Sequence, residues 1–131
     1  MLGGSGKHKS LKILVVEDNL LVAETIVQAL EDNGYEVVGP APNLGRGLEL
    51  ASGTDLDGAL LDVNLGGRFC FPIARVLSDR HVPFMFLTGY DDATIIPPEL
   101  RETKRLVKPF HVADLGAVAV KTFGDPEAAC S

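Results

Sequence analysis

Five side chains in this 131-residue sequence could do chemistry together, and they stand at the ends of four short apolar runs. Glu17 and Asp18 follow LKILVV, Asp62 follows GALL, Thr88 follows FMFL and Lys108 follows RLV. Polar residues commonly end strands, so one such position says little. Asp62 alone reads equally as a solvated turn residue, a metal ligand or a nucleophile. Three carboxylates on one rim are a different matter, because carboxylates about 4 Å apart repel by roughly 4 kcal/mol at an effective dielectric near 20. A hard divalent cation relieves that repulsion. Carboxylate oxygens, a backbone carbonyl and waters suit octahedral magnesium, which also binds phosphate oxygens. Asp62 is the best nucleophile candidate, since carboxylates form aspartyl-phosphate intermediates. Competing chemistries lack their signatures. There is no G-x-x-x-x-G-K-[ST] loop, and GGSGKHK has neither the spacing nor a preceding strand. Cys70 and Cys130 form no metal-type pair or disulfide framework. His81 and His111 fall at helix ends away from the rim, where a surface or capping role is expected.

Whether the five meet depends on the elements that carry them. Leu11 to Val16 is a short branched run, the pattern of a strand buried on both faces. From Leu20 to Asp32 the period changes: Val22, Ile26 and Leu30 recur at helical spacing, with Asn19 able to cap the start and Gly34 the end. Tyr35 to Val38 reads as a second strand stopped by Gly39-Pro40, and Asn43 to Ala51 as a helix weakened by Gly45 and Gly47. Gly58 to Leu61, Phe84 to Leu87 and Arg105 to Val107 read as three further strands. Phe71 to Arg80, with Pro72 in its first turn, and His111 to Phe123 read as helices. Between Asp91 and Lys104, Pro97-Pro98 leaves room only for a short or broken helix. Strands alternating with helices imply a parallel sheet covered on both faces. The expected fold is a flavodoxin-like (βα)5 doubly wound sheet, strand order 2-1-3-4-5, in which ligands bind beyond the carboxyl ends of the strands. In that order strands one and three are neighbours, and the second strand lies outside the crevice.

Composition narrows the function classes. A net charge of -6 argues against a nucleic-acid footprint, which needs a basic patch. No apolar run approaches the roughly 20 residues of a membrane span, and no secretory leader opens the chain, so a cytoplasmic protein is expected. Residues 1–10 read as a flexible leader, 11–123 as one domain and 124–131 as a frayed tail.

These residues resemble the receiver domains of two-component response regulators, over about Leu11 to Phe123. The likeness rests on Glu17-Asp18, Asp62, Thr88 and Lys108-Pro109, each after its strand. It implies that Asp62 accepts the phosphoryl group. It also implies that Asp18 and Asp62 bind Mg2+ directly, Glu17 through water and Asn64 through its backbone carbonyl. Thr88 would hydrogen-bond a phosphoryl oxygen, Lys108 would pair with it, and the Lys108-Pro109 bond would be cis. Asn64 and Tyr90 could shield or admit the hydrolytic water, and Gly89 leaves room beside the backbone. The middle of the chain is similar to the so-called FAT GUY receivers in Asp62-Val63-Asn64-Leu65, Pro83-Phe84 and Phe86-Leu87-Thr88-Gly89-Tyr90, with Leu87 where that subset usually has Ala. Most receivers carry an aromatic switch three residues before the lysine; here that residue is Arg105.

The resemblance implies a stand-alone response regulator in two-component or phosphorelay signalling. It would be a self-phosphorylating and self-dephosphorylating phosphoacceptor rather than a conventional enzyme. Its donor would be a histidine kinase or histidine phosphotransfer protein, and its output a downstream effector or onward transfer. The alternatives are a non-phosphorylated receiver-like interaction module, which would be expected to lack the acidic pair, Thr or Lys, and a flavin binder. A flavin protein would want a Ser/Thr/Gly-rich loop where this chain has Glu17-Asp18.

Overall fold

The computed structural model describes residues 10–89 and 92–126. The leader, Tyr90 and the end of the tail lie outside the described residues. The elements are β1 (Lys12–Val16), α1 (Leu20–Asp32), β2 (Glu36–Ala41), α2 (Leu44–Gly53), β3 (Gly58–Asp62), β4 (Asn64–Leu65), β5 (Arg68–Phe69), α3 (Phe71–Asp79), β6 (Phe84–Thr88), β7 (Arg105–Val107) and α4 (Val112–Phe123). Five strands form one sheet in the order β2-β1-β3-β6-β7, all parallel. This is the expected 2-1-3-4-5 arrangement.

Strand alternation divides the core in two. Leu14, Val16, Ala59, Leu61 and Phe86 point to one side and pack with Ala51 of α2 and Ile73, Ala74 and Leu77 of α3. Ile13, Val15, Leu60, Met85 and Leu87 point to the other and pack with Ile26, Ala29 and Leu30 of α1 and Leu115 and Ala119 of α4. Both faces of β3 are thus buried, and an apolar run such as Ala59-Leu60-Leu61 is what that burial requires. Two glycines are fixed by close packing: a Cβ at Gly58 would run into the Phe123 ring, and one at Gly47 would sit 2.5 Å from Ile73 Cδ1.

Helix ends follow the local signals. Asn19 Oδ1 accepts from Val22 N at 3.1 Å and Asn43 Oδ1 from Arg46 N at 2.9 Å, each capping a helix start. Gly34, at φ +92, turns the chain out of α1.

One expectation is corrected, one is borne out and one feature is added. The second strand does not stop at Gly39-Pro40 but runs through it to Ala41. Being an edge strand, β2 tolerates a proline without an N–H, and the register slips between Leu14 and Val16 to take up Gly39 at φ +100. As expected, the fourth crossover is short and broken: among the described residues it holds no α-helix, and Asp92–Ile95 and Pro98–Leu100 are 3-10 turns with Ile96 and Leu100 buried. Pro97 and Pro98 cannot donate the backbone bonds that a continuous helix there would need. Finally, β4 and β5 form a small antiparallel hairpin directly after β3, which sequence reading did not anticipate.

Tyr35, only 3% exposed, ties the end of α4 to the sheet. Its hydroxyl donates to Gly124 O at 2.5 Å and its ring meets Phe123 edge-on, with centroids 6.1 Å apart. Burial, reinforced by Asp125, pushes its phenol up from 10.0 to about 12. A raised folded pKa favours the neutral phenol, so this contribution is complete below pH 10 and is lost as pH rises toward 12. Tyr35→Phe should cost about 1 kcal/mol in urea unfolding at neutral pH. It should also flatten the loss of stability that the wild type shows from pH 10 to 12. An equally steep loss in the variant would refute the assignment.

Candidate functional site

The polar side chains enclosed by the core gather at one rim. Glu17 is 2% exposed, Asp62 3% and Thr88 1%, and each stands at the carboxyl end of a strand. Backbone bonds carry the ladders past the strand ends and fix these positions. Glu17 N donates to Ala41 O at 3.0 Å, Val63 N to Leu87 O at 2.9 Å and Lys108 N to Thr88 O at 2.8 Å. The second strand therefore does touch the site, because its extension past Pro40 supplies the carbonyl that seats Glu17. Asn19 N also donates to Glu17 Oε2 at 3.1 Å, so the residue that caps α1 also steers the first acid.

One ammonium faces two of the acids. Lys108 Nζ lies 3.0 Å from Asp62 Oδ2 and 3.1 and 3.3 Å from the two oxygens of Glu17. Burial, and then the charge of Glu17, raise the Asp62 carboxyl well above the ordinary carboxylate range, while Lys108 pulls it back. Burial works against the Lys108 charge, yet the hydrogen bond and charge of Asp62, joined by those of Glu17, prevail and raise it. The Lys108-Pro109 bond is cis, as the resemblance implied.

Asp18, on the exposed lip, completes an acidic group: one oxygen from each of Glu17, Asp18 and Asp62 lies within 4.8 Å of the others. The residues fit a divalent cation. All donors are hard oxygens, and three carboxylates face one ammonium.

The structure thus brings Glu17, Asp18, Asp62 and Lys108 together and sets Thr88 at the same rim, on the strand next to β3. Asn64 adjoins them through its backbone, whose N–H donates to Asp62 Oδ1 at 3.2 Å. Its side-chain oxygen is engaged within the hairpin. Asn64 Oδ1 accepts from Gly67 N at 2.7 Å within the hairpin turn. Tyr90, the other expected gate, lies outside the described residues. His81 and His111 are exposed, His81 with φ +59 just past α3, and His111 makes no side-chain cap bond. Arg105 is exposed on β7, paired in register with Phe86.

Removing the ammonium should expose the cost of the buried acids. Lys108→Met is expected to lose about 3 kcal/mol of stability at neutral pH in chelator-treated protein, because two enclosed carboxylates lose their shared cation. Urea unfolding of the two proteins measures it, and an unchanged midpoint would contradict the electrostatic reading.

Comparison with known proteins places this geometry in a family. Residues 13–119 match the response regulator receiver domain. Over 107 residues the chain is 29% identical to the transcriptional regulatory protein PdtaR of Mycobacterium tuberculosis, an alignment covering 79% of this chain and 52% of that protein. The chain therefore spans about half the length of that curated relative. Among solved structures it is similar to SdrG of Sphingomonas melonis, at 32% identity and a TM-score of 0.72, covering 92% of this chain and 96% of that one. It is also similar to the receiver domain of the sensor histidine kinase PA1611 of Pseudomonas aeruginosa, at 25% identity and a TM-score of 0.70, covering 88% and 99%; that structure has magnesium coordinated in its active-site cleft. With its five-stranded parallel sheet and the acidic rim at the strand ends, this chain belongs to the response regulator receiver family.

Proposed function

We propose that this receiver works as a stand-alone phosphoacceptor in two-component or phosphorelay signalling, taking a phosphoryl group on Asp62 from a phosphohistidine. The observation that carries the reading is the contact of Lys108 Nζ with both Asp62 and Glu17 beside the exposed Asp18. The likeness of Phe86-Leu87-Thr88-Gly89-Tyr90 to the FAT GUY receivers, which often stand alone, supports a single-domain role. The donor is a histidine kinase or phosphotransfer protein, met in the cytoplasm, and the output is a downstream effector or onward transfer. Among the described residues no helix is long and apolar enough to cross a membrane.

Phosphoryl transfer is mostly positioning and neutralisation of charge on the equatorial oxygens. Asp18 and Asp62 would hold Mg2+ directly, Glu17 through water and Asn64 through its carbonyl. The ion would supply positive charge to the phosphoryl oxygens. A carboxylate oxygen of Asp62 attacks phosphorus, the P–N bond breaks and its electron pair stays on the histidine ring. Lys108, already at hydrogen-bond distance from Asp62, pairs with the arriving phosphoryl group, and the Thr88 hydroxyl donates to one of its oxygens. Hydrolysis reverses the loading: water attacks phosphorus, the aspartyl P–O bond breaks, and carboxylate and inorganic phosphate are released. Arg105 in place of a switch aromatic means that no ring turns inward at that position. A changed surface around β6 and β7 then carries the signal.

Incubation with a small phosphodonor and magnesium should add one phosphoryl group by intact mass, with none on Asp62→Ala. An equal adduct on both proteins would remove Asp62 as the acceptor, and none on the wild type would favour the non-phosphorylated interaction module. Asp18→Ala should weaken magnesium binding at least roughly tenfold, since one ligand and one charge vanish. Calorimetric titration reads this, and unchanged affinity would remove Asp18 from the ligand set.

A further inference from the structure

The β4–β5 hairpin follows Asp62 directly. It packs against the site: a Cβ on Gly66 would lie 3.7 Å from Asp18 Oδ2. Its turn is the two-residue Gly66-Gly67, with φ +64 and +95, the primed geometry that two-residue hairpins adopt. Leu65 pairs with Arg68 and Asn64 with Phe69.

Alternation along an antiparallel pair makes the residues flanking such a turn the hydrogen-bonded pair and the next pair out non-bonded. Asn64 occupies the non-bonded position. Its N–H and C=O therefore face outward, away from β5. The N–H does so demonstrably, donating to Asp62 Oδ1 at 3.2 Å. The backbone carbonyl that the family assigns to the cation thus belongs to a residue whose orientation the hairpin sets.

A two-residue ladder is marginal by itself and needs other restraint. The base of the hairpin has it: Leu65 is 5% exposed in the core, Cys70 N donates to Val63 O at 3.0 Å, and the rings of Phe69 and Phe71 lie 5.7 Å apart. The turn is exposed, and beyond the Leu65–Arg68 pair it is held by the bond from Gly67 N to Asn64 Oδ1 at 2.7 Å. The same residue therefore locks the turn with its side chain and faces the acidic group with its main chain.

The geometry points to the Asn64 side chain as a positioning residue for the cation site: by accepting from Gly67 N–H it fixes the hairpin and so holds its own backbone carbonyl toward the acidic group. The inference rests on the magnesium-dependent reading above. It assigns a role to a side chain that touches neither cation nor phosphoryl group.

The test is magnesium titration by calorimetry, with amide hydrogen exchange at Gly67, on wild type, Asn64→Ala and Asn64→Ser. Asn64→Ala removes no ligand atom, yet should bind magnesium roughly tenfold more weakly, as loss of an orienting partner typically does. Its Gly67 amide should exchange faster. Asn64→Ser, whose hydroxyl can accept a local backbone bond, should recover part of both the protection and the affinity. A wild type and Asn64→Ala of equal affinity, with Gly67 exchange raised in the variant, would overturn this inference and leave the cation site standing. A loss in Asn64→Ala that Asn64→Ser leaves unrepaired despite restored Gly67 protection would overturn it too. A wild type that binds no magnesium would overturn the cation site itself, and the inference with it.

Discussion

Glu17 and Asp62 are carboxylates held almost out of water, with a single ammonium between them. Burial and mutual repulsion make that arrangement unfavourable, and the raised Asp62 carboxyl registers it. It persists because the surrounding backbone leaves the side chains little choice. The ends of β1, β3 and β7 are fixed by ladders that continue one residue past the strands, and the edge strand β2 adds Ala41 O under Glu17. A parallel sheet buried on both faces supplies the rigidity, through the alternating sets that pack on α2 and α3 on one side and on α1 and α4 on the other.

That strain suits the proposed phosphoacceptor role. A carboxylate crowded by another and relieved by one lysine favours the arrival of further positive charge, and the exposed Asp18 opens the cluster toward solvent, where a hydrated cation can enter. Rigid placement also suits phosphoryl transfer, in which the protein supplies position and charge. The hairpin after β3 extends the same logic. It continues the chain from Asp62 in a fixed direction, so the proposed phosphoacceptor and the neighbouring Asn64 backbone are set by one turn.

Much of this was legible in the residues. The branched runs at β1 and β3 and the helical spacing of Val22, Ile26 and Leu30 report burial, which depends on local pattern. The acid, hydroxyl and lysine after successive strands could be assigned to one rim because parallel sheets bind ligands there. The missed features have identifiable causes. Gly39-Pro40 reads as a stop for a central strand, but β2 is an edge, and only the assembled sheet shows which strands are edges. The Gly66-Gly67 pair is a hairpin signal, yet the flanking strands of two residues each are too short to show alternation. The fourth crossover was read as short or broken because Pro97-Pro98 acts locally, and it is built of 3-10 turns.

The sequence by itself determined the order of the main strands and helices, the sheet topology and the identities of the residues at the rim, since these follow from apolar periodicity and from the residue after each strand. Only the tertiary structure decided how the rim is wired. Lys108 spans Asp62 and Glu17, a carbonyl from β2 seats Glu17, and the Asn64 side-chain oxygen bonds Gly67 within the hairpin. The physical reason is range. Periodicity and capping act over a few residues, whereas the bonds that set this site join residues such as Glu17 and Lys108, 91 positions apart, and exist only once the sheet has brought the strand ends together.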